Sequence, residues 1–90
     1  MKTIWKFPLP VTDEHSIDMP HGAKILTVQV QGEQVFLWAL CNSNAPKLKR
    51  TFAVIGTGHP IPEEAPLSYI GTFQIREHAL VFHVFELTLV

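Results

Sequence analysis

From Leu26 to Gln31 apolar and polar residues alternate without a break: Leu26, Val28 and Val30 against Thr27, Gln29 and Gln31. A period of two sorts the two sets onto opposite faces of an extended chain, and no helix can use it. Gln31-Gly32-Glu33-Gln34 then supplies a turn, with Gly32 suited to a left-handed position. Val35 to Cys41 returns as a second strand, with Phe36, Trp38 and Leu40 on one face and Val35, Leu37, Ala39 and Cys41 on the other. Apolar residues on both faces mark a central strand, or a strand with one face covered by another chain.

The rest of the chain repeats the theme. Lys2 to Leu9 reads as a strand with Trp5 and Phe7 on one face and Ile4 and Lys6 on the other, and Pro8 and Pro10 make it an edge. Ser16 to Met19 suits a short strand before Pro20. Asn42 to Lys49 reads as a polar loop whose basic end is Lys47, Lys49 and Arg50, and Thr51 to Ile55 as the next strand. Ser68 to Ile75 places Tyr69, Phe73 and Ile75 on one face. Arg76-Glu77-His78 is a turn, and Ala79 to Leu89 sets Val81, His83, Phe85 and Leu87 opposite Phe82, Val84 and Glu86. Short strands at regular spacing predict one all-β domain over residues 1–90. It is an antiparallel β-sandwich or barrel-like domain of about six strands, built as hairpins. The expected core is Ile25, Val28, Leu37, Val54, Phe73, Val84 and Phe85.

Composition narrows the function classes. The net charge of −1 gives no long-range attraction to DNA or RNA. A 90-residue chain has a thin core, yet 47% of this one is hydrophobic and nine residues are aromatic. The surplus predicts a homo-oligomer, a dimer or a tetramer. The single Cys41 rules out an intrachain disulfide, and its apolar surroundings predict an inert buried thiol in a reducing, cytoplasmic setting. No stretch approaches the ~20 apolar residues of a membrane helix, and Met1 to Lys6 lacks the apolar core of a secretion signal.

Chemistry concentrates in Ile55-Gly56-Thr57-Gly58-His59-Pro60-Ile61-Pro62. Two glycines one residue apart permit a left-handed backbone and the close approach of another group. A run of N–H groups in such a turn can cradle an anion. Thr57 and His59 add side-chain donors, while Pro60 and Pro62 stiffen the exit. The same residues also suit a bulge or turn that closes a strand. The ligand-binding candidates are therefore Gly56, Thr57, Gly58 and His59, with Arg50 and Lys49 for phosphates and Trp5 and Tyr69 for stacking. Residues 50 and 56 lie at opposite ends of one strand, so a neighbouring strand or a second subunit must complete any shared site. The five histidines show no metal-ligand spacing, so neither a metal nor a cofactor is expected. His59 with Glu63 and Glu64 could exchange a proton, yet no nucleophile accompanies them, and no catalytic residue is assigned. His83, on an apolar strand face, reads as a core or interface histidine.

Several pieces together resemble a family of uncharacterised small proteins from bacteriophages and prophages. They are Ile4-Trp5-Lys6-Phe7-Pro8-Leu9, Met19-Pro20, Gly22-Ala23-Lys24, Val28-Gln29-Val30-Gln31, Leu37-Trp38-Ala39-Leu40, Gly56 to Pro62, Tyr69-Ile70-Gly71-Thr72 and Val81 to Glu86. The block from Gly56 to Pro62 is the most specific, while the tail after Glu86 and the loop from Asn42 to Lys49 depart from the pattern. The resemblance implies a phage origin and no catalytic residues. By analogy of class it implies a sponge in the host cytoplasm, one that sequesters a nucleotide immune signal such as a cyclic oligonucleotide or an ADP-ribose derivative. The alternative is a small virion accessory or protein-interaction domain with no small-molecule ligand.

Overall fold

The computed structural model describes residues 1–76 and 79–88. Glu77 and His78 of the expected turn, and Leu89 of the last strand, lie outside the described residues. Alternation produces seven strands: β1 (Lys2–Pro8), β2 (Glu14–Pro20), β3 (Lys24–Gln31), β4 (Gln34–Asn42), β5 (Lys47–Gly56), β6 (Leu67–Ile75) and β7 (Leu80–Leu87). They form two antiparallel sheets, one in the order β1-β4-β3 and the other in the order β2-β5-β7-β6. The chain is all-β and sandwich-like. No helix among the described residues is long and apolar enough to cross a membrane.

The core lies between the sheets. Val28, Val35, Leu37, Ala39 and Cys41 from one sheet meet Met19, Phe52, Val54, Phe73 and Val84 from the other, all buried. Burying these side chains drives the two sheets together, because each has one face too apolar to leave in water. Cys41 is buried, as its apolar surroundings in the sequence suggest. Of the expected core, Val28, Leu37, Val54, Phe73 and Val84 are buried, and Ile25 is partly buried against them. Phe85 is a correction. It follows the inward Val84, so the pleat turns it to the outer face of the four-stranded sheet.

Two strands extend beyond the sequence expectation. His15, Ile17 and Met19 point inward while Glu14, Ser16 and Asp18 point out, so β2 is a full strand of seven residues. The basic stretch from Lys47 to Arg50, expected as a loop end, is the first part of β5 and pairs with β2. Both segments alternate, but charged residues at the outward positions disguise the pattern.

Two β-bulges change which side chains face out. Between Ile25 and Thr27 the register of β3 slips, which leaves Leu26 unpaired and 46% exposed. Between Tyr69 and Gly71 the register of β6 slips around Ile70. Tyr69 then sits opposite the outward Phe85, while Gly71 and Phe73 sit opposite the inward Val84 and Phe82. The expectation that Tyr69 shares a face with Phe73 and Ile75 is corrected by that single inserted residue. The bulged strands meet at the seam between the sheets. A side-chain carbon on Gly71 would stand 2.8 Å from Cγ1 of Val28, so only glycine permits this approach.

Candidate functional site

Strand β5 carries the glycine loop at its end. Gly56, Thr57, Gly58 and His59 form a β-turn in which the His59 N–H donates to the Gly56 carbonyl at 3.0 Å. Gly58 has φ +86°, the value that the third residue of a type II turn requires. The Thr57 N–H donates to the Val81 carbonyl at 3.2 Å. Two of the amides expected to cradle an anion therefore close the turn and anchor it to β7, which corrects the picture of N–H groups aimed outward. The His59 ring lies against Gly56, 3.4–3.5 Å from where a side-chain carbon would stand. Open space surrounds Gly58. From here the chain runs back over the outer face of the four-stranded sheet and forms a cleft of about 320 Å³ with Ala53, Ile55, Leu67 and Leu87 below it.

Side chains from two strands and that loop form a continuous polar row. Tyr69 Oη lies 2.6 Å from Thr72 Oγ1. Thr72 Oγ1 lies 2.9 Å from His83 Nδ1, and His83 Nε2 lies 2.7 Å from Thr57 Oγ1. Thr57 Oγ1 in turn reaches the Val81 carbonyl at 3.4 Å. Pairing explains the row: Thr72 stands opposite His83, and His83 opposite Ile55, two residues before Thr57. One neutral tautomer of His83 satisfies every link in one direction. Tyr69 donates to Thr72, Thr72 to Nδ1, the Nε2–H to Thr57, and Thr57 to the Val81 carbonyl. The Tyr69 oxygen then keeps its lone pairs for an incoming N–H group.

Tyr69 is held at both ends. Its hydroxyl is bonded to Thr72, and its ring meets the Phe85 ring edge-on at 5.5 Å between centroids. It nevertheless remains 61% exposed. The result is a fixed aromatic surface facing solvent beside a row of hydroxyl and imidazole groups.

The other sequence candidates are placed differently. Arg50 makes a bidentate ion pair with Glu86, at 2.6 Å from Nε to Oε2 and 2.7 Å from Nη2 to Oε1. Its Nη1 also donates to the Ala23 carbonyl. The guanidinium is thus committed to tying β5 and β7 to the start of β3. Lys49 shares the outer face with Thr57 but lies toward the far end of β5, opposite Asp18. Trp5 belongs to the other sheet and packs against the core, edge-on to Phe7 at 6.5 Å. The structure therefore joins Thr57 to Tyr69 and leaves Lys49 and Trp5 away from them, while Arg50 lines a cleft of about 430 Å³ with Tyr69 but is held there by Glu86. Thr72 and His83, which make the junction, were not among the sequence candidates. The sequence reads His83 as a core or interface histidine, whereas it stands on the outer face of the sheet opposite Ile55. No group of three or more metal-ligating side chains occurs among the described residues.

Over residues 1–89 the chain matches the family described as Domain of unknown function (DUF7352). The chain belongs to that family. No curated protein and no solved structure matches this DUF7352 domain. The resemblance to an uncharacterised family thus holds over nearly the whole chain, and the polar row of the DUF7352 domain is the feature left to interpret.

Proposed function

We propose that this domain is a binding protein that holds a nucleotide-type ligand on the outer face of its four-stranded sheet, without turnover. The observation that carries the reading is the Tyr69 ring, exposed yet fixed by Thr72 and Phe85. A base stacked on an aromatic ring gains about 1–3 kcal/mol, and a ring already held in place loses little freedom on binding. Acceptor lone pairs on Tyr69 suit the N–H groups of a base edge. The unobstructed turn at Gly58 leaves room for the polar remainder of the ligand. The phage resemblance supports the sharper form, a sponge acting in the host cytoplasm on a cyclic oligonucleotide or ADP-ribose signal of anti-phage defence.

The test is capture and release. The protein is incubated with cyclic dinucleotides, cyclic trinucleotides and ADP-ribose derivatives, separated from free ligand, and heat-denatured. One panel member should be depleted and then recovered chemically intact. Tyr69→Ala should weaken its binding about tenfold or more, in line with one lost stacking contact. A recovered product would point to turnover. A panel left untouched, or Tyr69→Ala binding as tightly as the parent, would overturn the reading.

A further inference from the structure

The two broad faces of the sandwich differ in charge. On the outer face of the three-stranded sheet, β1 presents Lys2, Ile4 and Lys6, β4 presents Phe36, Trp38 and Leu40, and β3 presents Lys24 and Thr27. Three lysines thus frame an apolar stripe, and none of the outward strand positions of this sheet is a carboxylate. Within the stripe Phe36 and Trp38 meet edge-on at 5.8 Å, and the Lys6 ammonium stands 4.4 Å from the Phe36 ring centre. Ile4 is 55% exposed. The opposite face bears Glu14 and Asp18 on β2, with Lys47 and Lys49 on β5. Asp13 and Glu14 rim the cleft under the returning loop, whose floor includes Ala53 and Ile55. Glu63 and Glu64 sit in the turn between Pro62 and Ala65, which line the same cleft. Five carboxylates against two lysines leave this side net acidic, with an apolar hollow at its centre.

We propose that the lysine-framed face of one copy of this chain docks on the acidic, cleft-bearing face of the next. Charge complementarity selects a second copy in this orientation. Like faces brought together would set lysines against lysines or carboxylates against carboxylates, and such juxtaposition is penalised. Opposite faces bring Lys2, Lys6 and Lys24 to the carboxylate rim, and the aliphatic stems of the lysines extend the apolar contact around Ile4 and Leu40. A head-to-tail contact of this kind uses two different patches, so it builds a ring or an open chain of copies rather than an isologous dimer. The inference uses the same sheet face as the ligand reading, but its test uses the protein alone and does not depend on a ligand being found.

Two variants at exposed positions block one face each. Ile4→Lys places an unpaired charge in the apolar stripe, and Glu63→Lys with Glu64→Lys turns the cleft rim basic. Circular dichroism establishes that both remain folded, and light scattering reads assembly. The parent should grow in mass with concentration and shrink with added salt. Each variant alone should be monomeric where the parent is assembled. An equimolar mixture of the two should form a 1:1 complex that grows no further, since only one intact pair of faces remains. A parent that stays monomeric across the accessible concentration range would overturn the inference. So would Glu63→Lys/Glu64→Lys still assembling alone, the mark of a dimer through the lysine-framed faces. Ile4→Lys still assembling alone would do the same, as the mark of a dimer through the acidic faces.

Discussion

Phe52 and Phe85 carry the same side chain on neighbouring strands, yet different surroundings set what each contributes. Phe52 is fully enclosed between the sheets, and Phe85 lies outside them against Tyr69. Urea unfolding should show Phe52→Ala costing about 3–5 kcal/mol, the range for a buried phenylalanine cut back to a methyl group. Phe85→Ala should cost less, and its distinctive effect should be a looser Tyr69 ring and weaker ligand binding. At Gly71 the deciding term is space. Gly71→Ala drives a methyl group into the buried Val28 side chain and should cost about 1–3 kcal/mol. Combining it with Val28→Ala should lose less than the two single changes summed, because the second makes room for the first. A strictly additive pair would show that the crowding lies elsewhere.

At the scale of the strand, alternation sorts residues into two faces, and it misleads where the pairing slips or where both faces are apolar. Leu37 and Val84 were legible as core, but the apolar outer face of β7 made Phe85 look like core as well. A bulge shifts parity by one residue, and nothing in Leu26 or in Tyr69-Ile70-Gly71 announces it, so Leu26 was expected on the face of Val28 and Val30, and Tyr69 beside Phe73. The polar row was hidden for a related reason. Thr57, His83 and Thr72 meet only through the pairing of β5 with β7 and of β7 with β6, and no local pattern gives the register of the first pair. Arg50 shows a different failure: basic residues near a turn suggest a ligand, whereas the fold uses this one to fasten strands. Arg50→Met leaves Glu86 half-buried without its partner and should cost about 1.5–3 kcal/mol, the range for hydrogen bonds to charged groups. Pairing it with Glu86→Leu should restore much of the loss, since no unpaired charge remains. Chemical denaturation of the three variants checks this.

The whole molecule is a thin slab, 39 × 34 × 16 Å across its Cα atoms. Such a shape exposes two broad faces relative to its core, which is why ligand binding and self-association are both assigned to sheet faces and not to a deep cavity. Its connectivity carries a further consequence. Only β3–β4 and β6–β7 pair with their neighbours in sequence; β1 must find β4, and β2 must find β5. Closing long loops before any contact rewards them slows folding, so refolding should take milliseconds to seconds, as in other β-sandwiches. Stopped-flow fluorescence from Trp5 and Trp38 would reveal it, and microsecond refolding would contradict it. On the ribosome the delay becomes literal. Residues 9 to 42 must follow β1 out before its partner strand is complete, which at ~5–20 residues per second leaves the Ile4, Trp5 and Phe7 segment unpaired for about 2–7 s. During that interval this most apolar part of the early chain is a natural client for a nascent-chain chaperone, and Lys2, Lys6 and Pro8 are the residues that keep it from pairing with a stranger.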